Sequence, residues 1–269
     1  MAITDFNEYI NKLSDNRSAD FVMNTSVGRA GRLSAAWRGF LPAPPTRTTP
    51  VALDKSSGEA IGPLPLIGSG SLQLLGARLA AIGASGLNVV LVDLLNLQGG
   101  INSSITGSQT TNLPTAALTR YTSGVGVMAG VYIENTVGST ATTFTVGYTN
   151  QAGTSGRTST ATQIGSTGFR ETGSIIPIPL AIGDTGVKSV DSINLAASIG
   201  GTSIGICLFK PLAMLSMESF TGCSDLDMVS TGGVIGQFAE INPDACLTLM
   251  ILSSGGSSFY QGNIILNEV

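Results

Sequence analysis

Histidine is absent from this 269-residue chain, and charged residues make up only 11% of it. Without histidine the chain cannot build a Ser-His-Asp or Cys-His nucleophile system, a histidine acid or base, or an imidazole-ligated zinc or haem site. Aromatic residues are also scarce, at 6% with one tryptophan, which leaves little material for an aromatic-lined substrate cleft. We therefore expect no catalytic residues, no cofactor and no enzymatic activity.

The few charges are nearly balanced, with 13 Lys and Arg against 17 Asp and Glu and a net charge of −4. Such a balance attracts the chain neither to nucleic acid nor to an anionic membrane. An average globular chain has about 25% charged residues, so a lone monomer of this composition would expose an unusually uncharged surface. We therefore expect a homo-oligomer in which neighbouring subunits cover much of that surface.

Long apolar segments are missing as well. The longest uncharged apolar stretch, Leu79–Val92, has 14 residues and is too short to cross a bilayer. Residues 1–12 contain Asp5 and Glu8 and lack the apolar core of a signal peptide. No membrane association is expected.

The chain has three cysteines, Cys207, Cys223 and Cys246, without the paired spacing of a zinc site. Buried free thiols are the favoured interpretation. One disulfide is the alternative.

Motifs for binding phosphate or metal are weak. The glycine run Gly124–Gly130 lacks the spacing and the following helix of a dinucleotide loop, and close backbone packing explains it better. Asp225 and Asp227 could begin a calcium site with Glu240 or Asp244. A solvated loop is favoured, so no metal ligands are predicted.

Residues 1–70 are predicted to form a short helix and an extended arm. Phe6, Tyr9, Ile10 and Leu13 have helical spacing within residues 4–14. Residues 17–47 then contain five arginines and one acidic residue, and prolines at 42, 44, 45 and 50 keep the backbone extended. A solvated tail is the alternative to an arm that becomes ordered on a partner.

The arm supplies the predicted partner-binding residues, because arginines pair with carboxylates and apolar rings anchor an interface. The segment Pro211–Val269 has the complementary sign, with six acidic residues and no Lys or Arg. The predicted set is Arg17, Arg29, Arg32, Trp37, Arg38 and Phe40.

Residues 71–269 predict a mainly β domain, a jelly-roll-like β-sandwich, because short apolar runs alternate with turns rich in the 35 glycines. Leu72, Leu75, Leu79 and Ile82 slightly favour a helix over a strand. The turn Gly183–Gly186 places Asp184 where it can accept backbone N–H bonds. Strands are predicted at 87–95, 125–132, 142–149, 175–180, 187–197, 203–208, 247–252 and 263–266.

Four segments resemble virion structural proteins of tailed bacteriophages. They are NLPTAALTRYTSGVGV at Asn112–Val127, GYTNQAGTSGR at Gly147–Arg157, IPIPLAIGDTGVKSV at Ile176–Val190, and LFKPL at Leu208–Leu212. The resemblance covers roughly residues 87–252 and has no catalytic chemistry attached to it.

The resemblance implies a structural protein of the virion, made in the bacterial cytoplasm of the host. We expect a capsid decoration or cement protein, or a minor capsid protein, that acts as a homotrimer and binds the major capsid protein or other virion proteins. The alternatives are a tail or portal-adjacent component and a receptor- or carbohydrate-binding module.

Overall fold

Strands dominate the computed structural model, which describes residues 17–28, 31–39, 46–61, 72–82, 87–166, 169–201, 203–217, 223–227, 240–253 and 256–268. Helical structure in these ranges is limited to 3₁₀ turns at Ala36–Gly39 and Leu113–Thr115, and none is long and apolar enough to cross a membrane. The mainly β prediction is confirmed. The helix predicted at residues 4–14 lies outside the described residues.

The strands are β1 (Arg17–Gly28), β2 (Arg32–Ala35), β3 (Val51–Ala52), β4 (Leu72–Ile82), β5 (Leu87–Ile101), β6 (Gly107–Thr110), β7 (Met128–Ile133), β8 (Thr142–Asn150), β9 (Arg157–Thr158), β10 (Thr162–Ile164), β11 (Ser174–Pro177), β12 (Val187–Leu195), β13 (Ile204–Met217), β14 (Cys223–Asp227), β15 (Glu240–Ile241), β16 (Leu247–Ser253) and β17 (Gly256–Glu268). Each of the eight predicted strands overlaps one of them.

Three antiparallel sheets make up the described fold. The central sheet is closed and barrel-like, since β13, β7, β11, β2, β16 and β5 pair in that order and β5 pairs again with β13. A second sheet has the order β1-β17-β4-β14, with β15 also on β4, and a third has the order β10-β8-β12-β6, with β9 on β8. The sheets pack on one another as in a sandwich, but the jelly-roll-like arrangement is not confirmed.

Three apolar clusters follow from this layering. One joins the β4 and β17 sheet to the central sheet through residues such as Leu74, Ile264 and Leu249. Another joins the third sheet to a different part of the central sheet through residues such as Val146 and Ile206. The last cluster fills the interior of the closed sheet. Alternate residues of the central strands thus face different clusters, as the two-residue period of a strand requires.

The helix favoured at residues 72–82 is wrong, because this segment is strand β4, paired with β17 on one side and β14 on the other. The pairing with β17 shifts by one residue between Gly76 and Leu74, so Leu75 has no partner across the ladder. A bulge of this kind changes which residues share a face. Leu72, Leu75 and Leu79 are all buried, and the bulge makes their spacing look helical.

The described part of the predicted arm belongs to the sheets. β1 pairs along its length with β17, and β2 lies between β11 and β16 in the closed sheet. Trp37 is fully buried in the interior of that sheet. Residues on both sides of the boundary predicted at residue 70 thus share the same sheets, and Trp37, predicted as an anchor buried against a partner, is buried in the chain's own core.

Candidate functional site

The predicted partner-binding residues make internal contacts where the structure describes their side chains. The Arg32 guanidinium carbon lies 3.6 Å from the centroid of the Phe169 ring. Arg38 donates from Nη2 to the carbonyl oxygen of Glu134 at 3.0 Å. The Arg17 side chain is outside the described part of the structure, as are Arg29 and Phe40 entirely.

A buried ion pair ties β5 to the segment before β7. Arg120 donates from Nε and Nη2 to the two Asp93 carboxylate oxygens at 2.8 and 2.7 Å, and from Nη1 to the Leu53 carbonyl at 2.8 Å. The Cys246 backbone N–H also donates to Asp93, at 3.0 Å. Burial raises the pKa of Asp93, and these donors oppose that shift. The pair holds four chain segments together.

A second buried carboxylate holds the segment before β3. Arg47 donates from Nε and Nη2 to the Glu59 carboxylate, both at 3.0 Å, and Glu59 is fully buried. The Arg47 carbonyl in turn accepts the Gly99 N–H of β5. Residues 46–61 are thereby fixed to the central sheet.

A third carboxylate, Asp184, organises the turn between β11 and β12. It accepts hydrogen bonds from the Tyr148 hydroxyl at 2.5 Å, Asn150 Nδ2 at 2.7 Å and Arg157 Nε at 2.9 Å. The Tyr148 hydrogen bond, followed by those of Arg157 and Asn150, lowers the pKa of Asp184 to about 2. The predicted turn is present, but its donors are side chains of β8 and β9, and these lock the turn to the neighbouring hairpin.

Three turns converge beside Asp184, and we call them the loop end: residues 121–127, 151–156 and 181–186. Val125 and Gly186 form an isolated β-bridge, and the Gly126 N–H donates to the Thr185 carbonyl at 2.9 Å. A Cβ added to Gly186 would overlap the carbonyl oxygen of Gly124. The glycine run therefore allows close backbone packing between turns, as the sequence analysis favoured.

The loop end presents apolar side chains to solvent. Ile182 is fully exposed, Val125 is 53% exposed, and Met128 at the start of β7 is 40% exposed. Two lysines lie beside them: Lys210 donates to the Val125 carbonyl at 3.2 Å, and the Lys188 side chain packs near Gly124 and Gly153. The sequence did not predict this exposed apolar surface. Its one sign in the sequence is Ile182, placed directly before the Gly-Asp turn.

Among the described residues, the cysteines and the residues considered as calcium ligands make contacts within the chain. Cys207 and Cys246 are buried free thiols, as favoured, and burial raises the pKa of Cys207 to about 12. No three Cys, Asp or Glu side chains converge as a metal site among the residues that the structure describes. Of the proposed calcium ligands, Asp244 forms an ion pair with Lys55 at 3.0 Å.

No protein-family model matches this chain, and no curated protein sequence matches it. Structure comparison finds infectious bursal disease virus VP2 in its subviral particle, at 12% identity and a TM-score of 0.19, over 94% of this chain and 80% of that one. T=1 particles derived from the same virus give 10% identity and a TM-score of 0.21, over 94% and 78%. Backbone agreement at this level supports no inference about function.

Proposed function

We propose that the chain is a structural protein of a tailed-bacteriophage virion, a capsid decoration or cement protein or a minor capsid protein. It stabilises the shell through contacts between subunits and has no catalytic activity. It acts as a homo-oligomer, a trimer in this proposal, bound to the major capsid protein or to other virion proteins. It is made in the cytoplasm of the host bacterium and is incorporated into the virion.

The observation that carries the proposal is the loop end. The four segments that resemble virion proteins meet there, contributing Val125, Arg157, Asp184 and Lys210. The turns expose isoleucine and valine on a backbone held by side-chain hydrogen bonds and close glycine contacts. Exposed apolar residues on a rigid support are typical of a protein–protein contact.

The use of the carboxylates supports a structural role. Asp93, Glu59 and Asp184 each accept two or more hydrogen bonds from within the chain, with an arginine among the donors. A general acid or base needs a group that can reach substrate and exchange its proton. These carboxylates instead tie separate segments of the chain to one another, which fits a structural role.

The test is the composition and stability of purified particles. Density-gradient particles should contain this chain by mass spectrometry, and a C-terminal tag should appear on the head surface by gold labelling. Particles that lack the chain should release DNA at a lower temperature than complete ones. Label on the tail would support the tail alternative, and absence of the chain from particles would refute the proposal.

A further inference from the structure

We infer that the loop end is the contact site for a second copy of this chain, whose acidic C-terminal segment faces Lys188 and Lys210. This inference rests on the proposed function, because it names the partner in the proposed homo-oligomer. The inferred contact surface is formed by β7, β8 and β12 and their turns, whereas the sequence predicted a contact through the N-terminal residues.

The apolar part of the contact is Ile182 with Val125. The Ile182 side chain is fully exposed, and the Asp184 hydrogen bonds fix the turn that carries it. A partner that covers this turn orders little that is mobile, so most of the gain from apolar burial is kept. The turn has the properties of a preorganised anchor.

The charges favour an acidic partner. Five of the described cations form ion pairs within the chain: Arg47, Lys55, Arg120, Arg157 and Arg170. Lys188 and Lys210 have no ion pair with any described residue, and both lie beside the exposed apolar side chains. Asp184 does not neutralise them, because its oxygens accept three other donors. An acidic surface would complement this rim.

The chain itself contains acidic residues that could supply such a surface in a second copy. Residues 211–269 contain six acidic residues and no Lys or Arg, and strands β14 and β15 of this segment lie along β4. Glu240 in β15 is exposed. One chain therefore carries both signs. A contact between two different complementary patches is heterologous. Copies joined this way form a closed ring when the rotation from each copy to the next brings the last copy back to the first.

Sedimentation equilibrium of the isolated full-length chain tests the apolar anchor. Ile182→Asp should weaken self-association at least tenfold, the range of a central interface residue. The control is Ile105→Asp, which places the same charge at a residue 46% exposed near the opposite end of β12 and should leave association unchanged. Thermal unfolding of both variants should match the parent, since neither residue lies in the core.

Charge reversal tests the partner. Lys188→Glu and Glu240→Lys should each weaken association about threefold to tenfold, and the double variant should recover most of the loss. A monomeric parent chain, or an Ile182→Asp variant that associates like the parent, would overturn the inference. If Ile182→Asp lost binding to shells but kept self-association, the surface would bind another virion protein and the second-copy assignment would be wrong. Presence of the chain in particles is measured separately, so either proposal can fail without the other.

Discussion

Removing the arginine of the buried Asp93–Arg120 ion pair tests directly whether the pair stabilises the folded chain. In Arg120→Met the Asp93 carboxylate stays fully buried and keeps one described donor, the Cys246 N–H at 3.0 Å, in place of three. Breaking a buried pair in this way costs about 3–5 kcal/mol. For a chain of this length, that corresponds to a fall in Tm of roughly 10 °C.

The variant should also change the pH dependence. With Arg120 gone, burial raises the pKa of Asp93 further above its unfolded value, so the folded state binds the extra proton. Its stability is then greatest below the unfolded pKa and declines as pH rises through the folded pKa. The parent should show a smaller decline, because the Arg120 hydrogen bonds and charge oppose the rise that burial causes in the pKa of Asp93.

Urea unfolding followed by tryptophan fluorescence measures these effects. Trp37 is the single tryptophan and is buried in the same cluster as Val92 and Leu94, which flank Asp93. The double variant Asp93→Leu with Arg120→Met should be more stable than Arg120→Met alone, since it leaves no buried charge. Arg120→Met within about 0.5 kcal/mol of the parent, the level of an ordinary surface substitution, would refute this reasoning.

Three further predictions follow from individual contacts. The lowered pKa of Asp184 means that its stabilising effect is present above its usual value of 3.8 and is lost as pH falls towards about 2; Asp184→Asn should flatten the acid-unfolding curve in that window, measured by circular dichroism. Gly186→Ala should lower Tm because its Cβ meets backbone, whereas Gly147→Ala meets a serine hydroxyl that can rotate; equal effects in differential scanning fluorimetry would contradict this. Cys207 and Cys246 should resist Ellman's reagent in the folded protein and react in urea, so a native chain with more than one fast thiol would be inconsistent with their burial.

The two long strands of the third sheet, β8 and β12, could be predicted because their pattern is local. In β8 the apolar residues Phe144, Val146 and Tyr148 are buried and alternate with residues that are partly or fully exposed. Their period of two is visible without knowledge of any partner strand. In β4 the bulge at Leu75 depends on the register with β17, about 190 residues later in the chain, and local spacing could not reveal it.

The place of the N-terminal residues in the sheets could not be predicted for a similar reason. Prolines and arginines describe the local backbone, but the place of β1 and β2 is decided by pairing with β17 and β16, at the other end of the sequence. The isolated Trp37 indicated that this ring is buried, and it is buried within the chain. Sequence alone could not tell whether that burial is within the chain or against a partner.

The composition of the inferred self-association contact also determines how assembly should respond to salt. A contact formed mainly by arginines would lose affinity steeply as ionic strength rises, because several exposed pairs would be screened together. Self-association through Ile182 and Val125, with two lysines at the rim, places most of the binding in apolar burial. Raising salt from about 0.1 M to 1 M shortens the screening length from about 10 to 3 Å, yet should weaken this contact only slightly. Association that vanishes over this range would indicate an electrostatic interface and exclude the loop end as its main component.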